Sequence, residues 1–235
     1  RPSLPAHRFN TRPRAMKITD EKLIAQYQQL HTSGKYGQTA HGSQKTIEIC
    51  LAELQPSTIL EYGCGQSQLH TMLSQPGIVW DRYDPAIPEF ASIPRESYDF
   101  VFSTDVLEHI PTEDVPDVLD HLRKLSPTVF LRISTRPART ILPDGRNAHF
   151  TVWPGKQWLQ AVKERFPDAS LVHEVTGETC VIVTWKTNSA DHIVAVETAR
   201  DKKRNSKTRG LLKTLEHAFR AARDAVFGKK VKKKN

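Results

Sequence analysis

The 235-residue sequence contains no apolar run approaching the ~20 residues a membrane-spanning helix needs. Its opening stretch, RPSLPAHRFNTRPRAMK, lacks the apolar centre of a secretory signal. Cysteine is scarce: Cys50, Cys64 and Cys180 are odd in number, far apart and without a C-x-x-C. Together these absences predict a reduced, cytoplasmic protein with no zinc or other metal site. No internal repeat is present, so one core with extensions is expected. Acidic residues are missing where basic ones are dense. Residues 1–17 carry five basic and no acidic groups, and residues 200–235 carry fourteen basic against three acidic. The body between them has twenty-three acidic against fifteen basic residues. The net charge of +8 therefore does not describe a basic surface for nucleic acid, although a tail acting on its own fits it.

What is present reads as alternating helix and strand. Residues 1–17 are expected to be a disordered leader. Residues 18–56 form an N-terminal helical cap: TDEKLIAQYQQLH has helical spacing, and a second helix enters at Ser43 and stops before Pro56. Short β-rich runs follow at Thr58–Tyr62, Ile78–Tyr83, Tyr98–Ser103, Thr128–Ser134, Ser170–Val175 and Cys180–Lys186. Helices are expected at Gln68–Ser74, Val115–Leu125 and Gly155–Phe166. The order predicts an α/β, doubly wound, mostly parallel sheet over 57–188, with the last two strands antiparallel neighbours. From 189 to 235 the expectation is a basic linker, an amphipathic helix and a Lys-rich tail.

In such a sheet ligands bind beyond the carboxyl ends of the strands. Three predicted loops lie there. ILEYGCGQS places Gly63 and Gly65 where a backbone can turn sharply and approach a ligand. Asp84, followed by Pro85, stands nineteen residues after Gly65, where an acid can accept from two ribose hydroxyls. Thr104, Asp105, Val106, Glu108 and His109 follow the strand YDFVFS. Each also has a plain reading, as turn glycines, an Asp-Pro turn and a helix start. Their joint occurrence at matching strand ends favours a site.

These stretches resemble class I S-adenosylmethionine-dependent methyltransferases. ILEYGCGQS is similar to the family's acid-x-G-x-G motif, and YDFVFSTDVLEHIP to its fourth-strand motif. Position 68 is Gln, unlike the G-x-G-x-x-G of dinucleotide-binding domains. The resemblance covers roughly 40–186 and implies a seven-stranded sheet whose last strand is reversed. It implies that Glu61, Tyr62, Gly63 and Gly65 shape the methionine end of the S-adenosylmethionine site, and that Asp84 and Pro85 lie at the ribose. Thr104, Asp105 and Val106 would lie beside the cofactor. Between Asp84 and Tyr98 there is room only for a brief third strand around Ala91–Ile93. Ser92 and Ile93 are therefore weak counterparts of the family's adenine contacts.

For the acceptor, His109 and His149 are the candidate general bases, as imidazole titrates near neutral pH. The loop 135–153, TRPARTILPDGRNAHFTVW, is too long for an idle connection. With Tyr36 from a lid loop at 35–41, its Arg136, Arg139, Asn147 and Trp153 are expected to bind a small polar or glycan-type acceptor through oxygen or nitrogen. Alternatives are an RNA or protein methyltransferase recruited by the tail, or a cofactor-binding scaffold without catalysis. No specific nucleic-acid motif is found, and STDV stands where an N-P-P-Y-type tetrad would. The segment 211–227 is amphipathic. It fits a docked helix or, with KKVKKKN, a peripheral contact with an anionic membrane surface or polyanion.

Overall fold

The computed structural model describes residues 20–32, 34, 36–204 and 206. The expected leader, Lys35, the 211–227 helix and the Lys-rich end lie outside the described residues. Helix α1 spans Glu21–Thr32 and α2 spans Gln44–Leu54. Gln55, at φ 47°, closes α2 in the left-handed conformation one residue before Pro56. The sheet then begins with β1 (Thr58–Tyr62), the short α3 (Leu69–Met72) and β2 (Val79–Tyr83). It continues with β3 (Phe100–Thr104), α4 (Val115–Leu125) and β4 (Val129–Ser134). Helix α5 (Gly155–Lys163) leads to the pair β5 (Ser170–Val175) and β6 (Thr179–Val183).

The six strands lie in the order β2-β1-β3-β4-β6-β5. β1 is parallel to β2 and β3, and β4 to β3, whereas β6 runs antiparallel to both of its neighbours. The short turn at 176–178 forces that reversal. Alternation along the strands divides the core. Leu60, Val101, Leu131 and Ile133 face α4 and α5 with Trp158 and Val162, while Ile59, Phe100, Phe102 and Phe130 face α2 and α3.

Two expectations are corrected. The brief third strand expected around Ala91–Ile93 does not form among the described residues, which leaves six strands where seven were expected. Between β2 and β3 the chain has prolines at 85, 88 and 94, and proline lacks the N–H a ladder needs. Instead Pro88–Phe90 makes a 3₁₀ turn, and the Asp84 N–H donates to the Phe90 carbonyl at 2.9 Å. The second correction concerns the linker after 189. Residues 190–204 are a helix, α6, whose Ile193 joins the α2 side of the core. None of the helices among the described residues is long and apolar enough to cross a membrane.

Candidate functional site

The carboxyl ends of β1, β2, β3 and β4 open into one cavity of about 780 Å³. Its glycine turn is tied to the neighbouring strand. The N–H groups of Gly63 and Cys64 donate to the Tyr83 carbonyl at 2.7 and 3.0 Å. Gly63 has φ 76°, and a Cβ there would stand 2.6 Å from Val106 Cγ1. The Asp84 carboxylate accepts from the Gly65 N–H and the Ala86 N–H, both at 2.9 Å. The turns after β1, β2 and β3 thus form one wall.

Under that wall lies a buried ion network. Arg132, inside the apolar run of β4, is 2 % exposed. It donates to Asp105 at 2.6 Å and to Glu197 of α6 at 3.2 Å, with Asp201 at 3.8 Å. Burial alone would raise the Asp105 carboxyl, but Arg132 and Arg200 hold it below its usual value. Asp105 itself sits at φ 55°, a conformation that few non-glycine residues adopt. Its N–H donates to the Arg132 carbonyl at 2.8 Å, which fixes that turn.

The opposite wall is α1 with the loop 135–153. Ile24, Tyr27 and His31 line the cavity from one face of α1, at helical spacing. Leu23 packs against Leu142 and Ala148 of the loop, and the Gln26 and Asp144 side chains bond at 2.8 Å. Asn147 fastens the loop internally, accepting from the Ala138 and His149 N–H groups at 2.9 Å. Glu108 bridges the two walls: its carbonyl accepts from Phe150 and Thr151 at 2.8 and 3.1 Å. His109 and His149 meet edge to face, with ring centres 4.7 Å apart. Burial, then the neighbouring His149, pushes His109 down to about 4, and burial lowers His149 too. Both rings are therefore neutral near pH 7.

Among the residues expected from sequence, the cavity is lined by Tyr36, Tyr62, Gly63, Asp84, Pro85, Thr104, Asp105, Val106, His109, Arg136, Arg139 and His149. Others stand elsewhere. Glu61 points to the opposite side of β1, toward Ser67, Trp80 and Arg82. Gly65 borders a separate cleft, although its N–H holds Asp84. Ser92 is exposed, Ile93 packs on the core, and Trp153 packs at a tilt against Trp158 with centroids 4.8 Å apart. Asn147 holds the loop rather than lining the cavity. Tyr27, His31, Arg132, Ser134 and Arg200 were missed, yet all line it. The signal for Arg132 was available, since a charge inside an apolar strand needs partners.

The profile of the family described as "Methyltransferase domain" matches residues 43–173, more than half of the chain. A search of curated proteins found no match. Among solved structures, a candidate O-methyltransferase from Nostoc punctiforme PCC 73102 has a TM-score of 0.47 at 15 % identity. The match covers 68 % of this chain and 60 % of that one, so this chain spans less than two thirds of its length. The 1,6-didemethyltoxoflavin-N1-methyltransferase of Burkholderia thailandensis, solved with bound 1,6-didemethyltoxoflavin and S-adenosylhomocysteine, gives 0.46 at 12 %, covering 69 % of this chain and 84 % of that one. The N-terminal domain of EvdMO1 with SAH bound gives 0.46 at 14 %, covering 72 % and 98 %. At such scores the family assignment rests on the profile and on the strand-end motifs. On that ground the chain belongs to the methyltransferase-domain family, within the class I S-adenosylmethionine-dependent enzymes that its glycine turn and β3 motif resemble.

Proposed function

We propose that the protein transfers the methyl group of S-adenosylmethionine to an oxygen or nitrogen of a small polar or glycan-type acceptor. The observation that carries this reading is the enclosure of the cavity between the strand ends, α1 and the loop 135–153. A space of about 780 Å³ is in the range of small-molecule sites, roughly 300–1,000 Å³.

The residues present fit the cofactor. Gly63 leaves a cradle that a side chain would fill, and Asp84 presents a carboxylate beside it. Gly63, Asp84, Asp105 and Val106 would hold the cofactor, which supplies a methyl carbon bound to a sulfonium leaving group. The Asp84 carboxylate can accept from the ribose hydroxyls, while Asp105 is already paired with Arg132 and serves to fix the turn. The rest is positioning. Tyr27, Tyr36 and His31 close the site from above, while Arg136 and Arg139 stand at the acceptor end. In the metal-free chain His109 and His149 are neutral and their Nδ1 atoms face the Ala148 and Arg136 carbonyls, so the Nε2 of either ring can accept the proton an acceptor hydroxyl or amine gives up.

The test is to incubate the full chain with methyl-labelled S-adenosylmethionine and cell extract, then separate products by mass. Label is expected in the low-mass or glycan fraction, and Asp84→Ala is expected to reduce it at least about tenfold. Label in RNA or protein would overturn the acceptor class.

A further inference from the structure

Glu108, His109 and His149 present one oxygen or nitrogen each, and these atoms lie within 4.8 Å of one another. The hydrogen bonds settle which atoms are free. A carbonyl oxygen only accepts. His109 Nδ1 lies 2.7 Å from the Ala148 carbonyl and His149 Nδ1 lies 2.6 Å from the Arg136 carbonyl, so each Nδ1 carries the proton. Each Nε2 is then left with its lone pair. Imidazoles that ligate metals are oriented in this way, with the second nitrogen donating to a carbonyl or carboxylate.

Glu108 adds an independent observation. Its side chain is 0 % exposed. Oε1 accepts from the Ser134 N–H at 3.1 Å and lies 4.0 Å from His149 Nε2, whereas Oε2 has no hydrogen-bond partner. A buried carboxylate without a counter-ion is costly. The three side chains are also held in one frame. The Glu108 carbonyl ties down Phe150 and Thr151, and the Tyr27 hydroxyl donates to the Ala148 carbonyl at 2.8 Å.

We propose that Glu108, His109 and His149 bind one divalent first-row transition-metal ion at the acceptor end of the cavity. Two imidazoles with one carboxylate suit manganese, iron, cobalt, nickel or zinc better than magnesium or calcium, which favour oxygen ligands. Ligand atoms around one such ion stand roughly 3–3.5 Å apart, so the set closes by modest side-chain rotation. Three protein ligands leave open positions, and Arg136 and Arg139 line the same cavity. The sequence expectation of no metal rested on cysteine spacing, which is silent about a ligand set split between residues 108–109 and 149. The ion site itself does not depend on the acceptor reading. With the ion bound, both Nε2 atoms are ligands and no longer serve as bases; its use, an acceptor hydroxyl occupying an open position and made more acidic there, rests on that reading.

The experiment strips the 235-residue chain with chelator and dialyses it against MnCl₂, CoCl₂, ZnCl₂ or MgCl₂, with bound metal counted by mass spectrometry. One equivalent of manganese, cobalt or zinc per chain is expected. Glu108→Gln and His149→Ala should each weaken it roughly tenfold or more, since even outer-shell changes at metal sites cost that much. The cobalt complex of the unaltered protein needs no variant: its paramagnetic NMR spectrum should show shifted N–H signals from two imidazoles. No stoichiometric binding, affinity unchanged in both variants, or a cobalt spectrum without histidine signals would overturn the site. S-adenosylmethionine binding to the metal-free chain is measured separately. Its failure would remove the methyl-donor site and leave the ion site standing.

Discussion

Gly63 and Gly145 share a backbone conformation but not an environment. Their φ angles are 76° and 86°, so alanine at either position costs about 1–2 kcal/mol of left-handed strain. At Gly145 nothing lies within 4 Å of an added Cβ, and strain is the whole effect. At Gly63 the Cβ meets the Val106 side chain, and Val106 belongs to the turn that carries Asp105. Gly63→Ala is therefore expected to weaken S-adenosylmethionine binding at least tenfold by calorimetry, as Val106 is pushed into the cavity, while Gly145→Ala leaves it within twofold. Equal effects would mean that Gly63 serves only the turn. At this scale the sequence was informative wherever chemistry follows from spacing. Asp84 and Asp105 lie at strand ends that the pattern places correctly. Glu108 reads in sequence equally well as a helix start, because its importance comes from burial and from Ser134 and His149, which only the fold brings beside it.

At the scale of elements, α6 shows what a hydrophobic pattern misses. The buried positions Ile193, Glu197 and Asp201 recur every four residues, a helical stripe made mostly of charge. Composition alone reads such a segment as a basic linker. In the fold it lies against β4 and α2: Glu197 is 0 % exposed, accepts from the Thr46 hydroxyl at 2.5 Å and pairs with Arg132. Asp201 accepts from His173 at 2.9 Å, and Arg200 donates to Ser43 at 2.7 Å. Breaking a buried pair leaves an uncompensated charge and costs about 3–5 kcal/mol. Arg132 keeps Asp105 and Asp201 nearby, so Glu197→Ala is expected at the lower end, about 3 kcal/mol in urea unfolding. The exposed Glu89→Ala should change stability by no more than about 0.5 kcal/mol. A loss at Glu197 as small as that would show that α6 is not part of the cooperative unit. The absent third strand has the opposite origin, since its prolines were visible and only the family's usual sheet suggested pairing there.

For the whole molecule, the alternation of strand and helix was enough to predict a mostly parallel sheet, and the short final connection an antiparallel last pair; the reversal of the last strand came from the family resemblance. Phe100, Phe102, Phe130 and Val181 fill one side because their strands are covered on both faces. One buried group on that side links the fold to solution pH. Glu61 is 2 % exposed, and burial pushes its carboxyl up to about 7, with nearby Ser67 and Arg82 opposing. In the unfolded chain, in water, its carboxyl has the ordinary glutamate value of 4.5. Below pH 4.5 both states hold the proton and Glu61 contributes no slope. Between 4.5 and about 7 the unfolded chain releases it first, so the folded state loses stability as pH rises. Above about 7 both states are ionised and the slope vanishes. A difference of that size corresponds to about 3 kcal/mol across the window. Glu61→Gln cannot ionise, so its stability relative to the unaltered protein should climb by up to that amount from pH 4.5 to pH 8. Paired urea titrations at pH 4.5, 6 and 8 measure the difference directly. Parallel stability curves for the two proteins would mean that water or a cation reaches Glu61, and that the β1 acid is not held in an apolar setting.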